Sequence, residues 1–179
     1  MSDLQKRAAA RAFTTTYTGI ARELRTPVVF DGKQYTALWD TGATGTVIRK
    51  DLAQKLNLQP ISFTQIHTAS GDFQSGVYIM MLELPNKVIL PNLTVYDGIL
   101  TSDIDFLIGM DVISKGDLAI SNFNGQTMLT FRVPSAEKTD YVQQSNMARS
   151  FAQQKTPGKK DKCPCGSGKQ YKDCCGKRR

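Results

Sequence analysis

Cysteine is missing from residues 1–162 of this 179-residue chain. A disulfide framework is thereby excluded for the body, whose stability must come from a hydrophobic core. Histidine occurs once, as His67. With no second histidine and the cysteines distant in sequence, neither metal ligation nor proton transfer is expected there. No apolar run reaches the roughly 20 residues a membrane helix needs. The stretch Ala8-Ala9-Ala10-Arg11-Ala12-Phe13 is too short and too broken by arginine to read as a signal peptide. The expectation is a cytoplasmic protein with no membrane contact. Net charge is also lacking over most of the chain. Residues 1–154 hold fourteen Lys plus Arg against fourteen Asp plus Glu, and residues 155–179 hold nine against two, so the whole +7 sits in the tail. A neutral body with a basic tail directs the tail toward an acidic partner, such as RNA, a ribosome surface or an acidic protein; a basic solubilising end is the alternative.

What the chain does contain is 40% hydrophobic residues, enough for one core with appendages. Short strand-like runs separated by turn signals dominate. Pro27-Val28-Val29-Phe30 and Lys33 to Leu38 flank Asp31-Gly32, a hairpin dipeptide. Arg49 to Leu58 reads as a short helix ending near Pro60. Ile61 to Ala69 and Phe73 to Leu84 flank Ser70-Gly71-Asp72 as a second hairpin. Strands follow at Lys87–Leu90, Leu93–Tyr96 and Leu118–Ile120, with Asn124-Gly125 turning into Thr127–Phe131. The segment from Asp3 to Phe13 reads as a short helix in a solvated leader, and Ser135 as the cap of a second helix through Phe151. Residues 153–160, with Thr156-Pro157-Gly158, read as a flexible linker.

The most informative stretch is Ala37-Leu38-Trp39-Asp40-Thr41-Gly42-Ala43-Thr44-Gly45-Thr46-Val47-Ile48. It sets one carboxylate on a tight Asp-Thr-Gly turn between two apolar strands. Gly42 lets the chain reverse close behind Asp40, and the Thr41 hydroxyl is placed to bond locally. Roughly 65 residues downstream lies Phe106-Leu107-Ile108-Gly109-Met110-Asp111. Together these blocks resemble the retropepsin family, the retroviral-type aspartic proteases. The resemblance implies a mainly β, retropepsin-like closed β-barrel with one or two short helices. In it, Asp40, Thr41 and Gly42 form the catalytic motif. A strand at 106–108 crosses behind that loop, and Asp111 caps a helix without acting as an acid. The hairpin tip Thr68, Ala69, Ser70, Gly71, Asp72 and Phe73 would be the substrate-binding flap, although it has fewer glycines than the retroviral pattern. Thr44 and Gly45 stand where those members often carry acidic residues, so substrate preference does not carry over. Trp39 stands where a smaller aliphatic residue is usual, and is expected to pack behind the loop.

The tail gathers Cys163, Cys165, Cys174 and Cys175 around Gly166-Ser167-Gly168. This resembles the SEC-C motif, the zinc-binding tail of the preprotein translocase ATPase, which implies one structural zinc and a docking role. Four thiolates saturate tetrahedral zinc, and so small a segment has no core without metal. Disulfides are disfavoured in a chain read as lacking an export signal.

The expected organisation is therefore an N-terminal leader (1–19), a retropepsin-like domain (20–134), a helical or flexible linker (135–160) and a SEC-C motif (161–179). The expected function is a cytoplasmic aspartic endopeptidase cutting peptide or protein substrates. Because no second Asp-Thr-Gly occurs, its dyad needs Asp40 from each subunit of a homodimer. The alternatives are a non-catalytic peptide-binding or dimerisation module, and a ribosome- or RNA-associated adaptor acting through the tail.

Overall fold

A computed structural model of the chain describes residues 10–68, 71–153, 157–163 and 165–178. The chain divides into two compact units, Met1–Glu137 and Lys138–Arg179. In the first unit, β2 (Arg25–Phe30) and β3 (Lys33–Trp39) form the expected hairpin, and Asp31 and Gly32 both take positive φ at its turn. Then come β4 (Thr46–Arg49), α1 (Lys50–Lys55), β5 (Ser62–Thr68), β6 (Gly71–Leu84), β7 (Val88–Gly98), β8 (Phe106–Ile108) and α2 (Met110–Ile113). These strands form a sheet in the order β2-β3-β8-β4-β7-β6-β5. Pairing of Val29 with Glu83 joins β2 to β6 and closes the sheet into a barrel. Strand alternation turns Val28, Ala37, Ile48, Leu82, Leu84, Leu93, Val95, Phe106 and Ile108 into the interior, all of them at most 2% exposed. The mainly β barrel expected from the sequence is the fold observed.

Several local expectations are corrected. Arg11–Phe13 is not helical: β1 (Arg11–Thr16) pairs antiparallel with β10 (Met128–Val133), which in turn pairs with β9 (Asp117–Ser121). The cause is β-branched Thr14-Thr15-Thr16 together with inward Phe13, which packs on Trp39 and Phe131 at ring-centroid distances of 6.0 and 6.3 Å. The expected strands at 87–90 and 93–96 are one strand, β7; Pro91 and Asn92 (φ 51°) lie where its pairing with β6 becomes irregular, between Met80 and Leu82. α1 is shorter than the expected 49–58, because Asn57 takes a left-handed φ of 52° just past it.

Ser135 caps no helix. Its hydroxyl donates to Asp117 Oδ1 at 2.5 Å, and Asp117 Oδ2 takes the Ala136 N–H at 2.9 Å. In the second unit the helix α3 (Tyr141–Gln153) begins later, and Asp140 Oδ1 accepts the Gln143 N–H at 3.0 Å as its cap. No helix among the described residues is long and apolar enough to cross a membrane.

Candidate functional site

The Asp40 loop is built by strand ends that leave it few ways to move. β3 delivers Leu38 and Trp39, and the Asp40 N–H donates to Ile108 O of β8 at 3.0 Å. The turn closes with Ala43 N–H on Asp40 O at 3.3 Å, while Gly42 N–H donates to the Asp40 carboxylate at 2.8 Å. The carboxylate is thus oriented by its own loop and half-buried, with Thr41 and Gly42 exposed beside it. From behind, Met110 N–H reaches Ala43 O at 2.8 Å and Asp111 N–H reaches Thr44 O at 3.2 Å.

Gly109 is the crossing point. A Cβ there would lie 2.5 Å from Gly45 O and 3.0 Å from Ala43 O, so only glycine fits. Gly109 is also the extended residue that starts α2, which displaces Asp111 from the capping position expected of it. Asp111 sits one residue inside the helix, where its Oδ1 accepts the hydroxyl of buried Thr46 at 2.9 Å. Trp39 packs behind the loop: its ring centroid lies 5.0 Å from Phe131, and its Nε1 donates to Thr26 Oγ1 at 2.9 Å.

On the opposite face of the barrel wall, strand register aligns a row of half-buried apolar residues. Leu38 pairs with Leu107, Leu107 with Val47, Val47 with Tyr96, and Tyr96 with Val77. Leu38 precedes Asp40 by two residues and so shares its side of the strand. The row forms an apolar strip across five strands, with Leu38 at the end that leads into the Asp40 turn. Gly45 makes room for the Tyr96 ring, since a Cβ there would lie 2.9 Å from it. Sequence reading missed these residues. The alternation Leu38/Asp40 and Thr46/Val47/Ile48 was the available signal, but the row exists only once five strands are in register.

The expected flap is a continuous antiparallel hairpin of β5 and β6, paired from Ser62↔Val77 to Thr68↔Gly71. Thr68, Gly71, Asp72 and Phe73 stand at its end, whereas Ala69 and Ser70 lie outside the described residues. The four described positions belong to this hairpin, and Asp40, Thr41 and Gly42 to the β3–β4 turn.

In the second unit, one ligand atom from each of Cys163, Cys165, Cys174 and Cys175 lies within 4.8 Å of the others. The sulfurs of Cys165 and Cys174 are 3.5 Å apart, and those of Cys174 and Cys175 4.0 Å. Disulfide bonds need about 2.05 Å, whereas thiolates at 2.3 Å around a tetrahedral zinc are separated by about 3.8 Å. The donor set fits a metal, and the chain supplies the scaffold. Cys163 N–H bonds to Lys169 O at 2.8 Å, and Gly166 and Gly168 take φ of 80° and 73° between the two cysteine pairs. The Ser167 hydroxyl and its neighbouring amide hold the Cys165 thiol down at about 6.

Comparison with known proteins follows this division. Residues 26–112 match the aspartyl protease family, and residues 160–177 match the SEC-C motif. A retropepsin-like aspartic protease from Rickettsia conorii superposes with a TM-score of 0.51 at 17% identity, covering 70% of this chain and 96% of that one. Short stretches resemble the protein translocase subunit SecA. The match is 50% identical over 44 residues in Prosthecochloris aestuarii (25% of this chain, 4% of that protein) and 74% identical over 23 residues in Chlorobium phaeobacteroides (13% and 2%). The chain spans only a few per cent of the length of those translocase subunits. It thus combines a segment that matches the aspartyl protease family, in a barrel of retropepsin-like fold, with a segment that matches the SEC-C motif.

Proposed function

We propose that the protein is a cytoplasmic aspartic endopeptidase, working as a homodimer in which Asp40 of each copy supplies one carboxylate of a dyad. The observation that supports this reading best is the Asp40 loop: a carboxylate fixed by Gly42 N–H and backed by the Gly109 crossing. Asp-Thr-Gly occurs once in the sequence, so the second carboxylate comes from a second copy. Two carboxylates in close contact cannot both ionise, and the pair holds one proton. The ionised member takes a proton from water, which attacks the scissile carbonyl carbon, and the protonated member donates to the carbonyl oxygen. The resulting tetrahedral diol collapses as its nitrogen is protonated, and the C–N bond breaks. An extended peptide lies between the apolar strip and the β5–β6 hairpin, with main-chain bonds to the hairpin. Leu38, Val47, Leu107 and Tyr96 favour apolar side chains at the bond that is cut.

The four cysteines hold one structural zinc as thiolates, which ties together a segment too small for its own core. With no position left for substrate, the metal has no part in hydrolysis. Nine basic residues against two acidic ones over 155–179 suit the tail to docking on an acidic surface such as RNA, a ribosome or an acidic protein. The experiment that tests the enzymatic reading is digestion of a diverse peptide library by wild type and Asp40→Asn, read by mass spectrometry. Cleavage by wild type alone is expected. Equal cleavage by both rules out the chemistry, and cleavage by neither favours a binding module or a tail-directed adaptor.

A further inference from the structure

The hairpin leaves the barrel at a definable point. Main-chain pairing of β6 with β7 runs from Leu84↔Val88 up to Val77↔Tyr96 and stops there, whereas β6 stays paired with β5 to Thr68↔Gly71. Among the described residues, the hairpin beyond Val77 has two strands only, an arrangement marginal in water by itself. Whatever clamps β6 at that point decides where the tip stands.

The next position along β7 is Asp97, and here side chains take over from the ladder. Asp97 Oδ1 accepts the Gly76 N–H at 3.1 Å, and Oδ2 accepts the Tyr78 hydroxyl at 3.0 Å. The Ser75 hydroxyl lies 2.7 Å from Asp97 O and 3.1 Å from Gly76 O. Asp97 is 6% exposed, and Ser75 is fully buried. A carboxylate this buried is costly unless hydrogen-bonded, so its partners are held firmly. Gly76 has no room for anything larger: a Cβ would sit 2.8 Å from the Tyr78 hydroxyl and 2.9 Å from Asp97 Oδ2. Burial, and then the neighbouring Asp97, push the Tyr78 hydroxyl up to about 12, which keeps it a donor at any working pH. On its other side Asp97 is in register with Ile48 of β4, the strand that starts at Thr46, whose hydroxyl is tied to Asp111 behind the Asp40 loop. One run of contacts therefore joins the root of the hairpin to the catalytic loop.

We infer that Asp97 is a positioning residue that fixes the pivot of the β5–β6 hairpin and thereby the fraction of molecules whose flap is placed to receive a peptide. The inference rests on the peptidase reading for its catalytic consequence, but not for the pivot itself. Loss of the clamp lowers the competent fraction, which multiplies the apparent KM and leaves the chemical step mostly intact.

The test is hydrogen exchange of the full-length protein without substrate, followed by steady-state kinetics on a peptide the wild type cleaves. Asp97→Ala is expected to speed exchange at residues 62–68 and 71–77 by about tenfold, with β3 and β8 unchanged. Its KM should rise by about tenfold, and kcat should change by less than about threefold. Asp97→Asn keeps an oxygen for Gly76, and the Tyr78 hydroxyl can turn to accept from the amide, so both readouts should return to near wild type. Should Asp97→Ala not fold, Tyr78→Phe, which removes a single bond, is expected to give a smaller loosening of the same segments. Hairpin exchange equal to wild type in Asp97→Ala, or in Tyr78→Phe where that stands in, overturns the inference. So does acceleration spread evenly over the barrel, or loss in kcat alone. If the wild type cleaves no peptide, the peptidase reading fails, and the exchange pattern still decides the pivot.

Discussion

Substituting Gly109 by alanine separates loop position from every other property of the site, because it adds one methyl group and touches no ionisable group. The new Cβ would lie 2.5 Å from Gly45 O, 2.7 Å from Gly45 C and 3.0 Å from Ala43 O. All three are backbone atoms that no rotamer change can move. Ordinary contact requires about 3.4 Å, so the Asp40 loop or the start of α2 must shift by about 0.9 Å. Overpacking of this kind costs about 1–3 kcal/mol of stability. In the proposed dyad, a displacement near 1 Å in a group that aligns with a partner carboxylate and a substrate costs about a hundredfold in rate. The expected result is a modest loss in urea denaturation, a loss of kcat/KM near two orders of magnitude, and an unshifted pH profile among the molecules that remain folded. Gly125→Ala is the control. Gly125 takes a φ of 73° in the β9–β10 turn with open space around it, so strain costs about 1 kcal/mol without displacing Asp40. If Gly109→Ala keeps wild-type kcat/KM while stability falls as in the control, the crossing is not what positions the carboxylate.

The residues that made the site legible in sequence are those whose role is local. Asp40-Thr41-Gly42 is a turn with its own internal bond, and the four cysteines with Gly166-Ser167-Gly168 form a compact hairpin-like cluster. Neighbours along the chain are enough to read both. The Asp31-Gly32 turn was legible for the same reason. What sequence reading missed is long-range. β1 reads as a leader until Phe13 is seen packing on Trp39 and Phe131, which lie about 26 and 118 residues away. Ser135 reads as a helix cap because serine caps helices locally; Asp117, 18 residues earlier, takes it instead. The apolar strip and the Asp97 clamp depend on parallel and antiparallel register among strands far apart in sequence, which alternation within one strand does not encode.

Acid stability should depend on Asp117. Burial by itself would raise its pKa, but the Ala136 N–H, the Ser135 hydroxyl and Arg132 outweigh that and hold it down at about 2. The stabilisation is therefore complete above the unfolded value near 4 and is lost as pH falls toward 2; with partial solvent screening it amounts to about 1–2 kcal/mol. Asp117→Asn should be less stable than wild type at pH 6 and nearly equal to it at pH 2, by thermal unfolding in parallel buffers. Purified protein should carry one zinc per chain, and chelation or Cys174→Ser should raise amide exchange across residues 157–178 without lowering hydrolysis of short peptides. Inhibition by chelator as deep as that of Asp40→Asn would place the metal in the reaction. The proposed shared dyad makes the last prediction quantitative. If wild type and Asp40→Asn subunits exchange freely at fixed total protein, the fraction of dimers with two competent carboxylates is the square of the wild-type fraction. Replacing half the protein should then leave about a quarter of the activity, and dilution below the dimer dissociation constant should lower specific activity in proportion to concentration. Light scattering follows assembly in the same samples. Half the activity after verified exchange, or a monomer that retains full specific activity, would show that one chain carries the whole site, and the Asp40 pair would have to be abandoned.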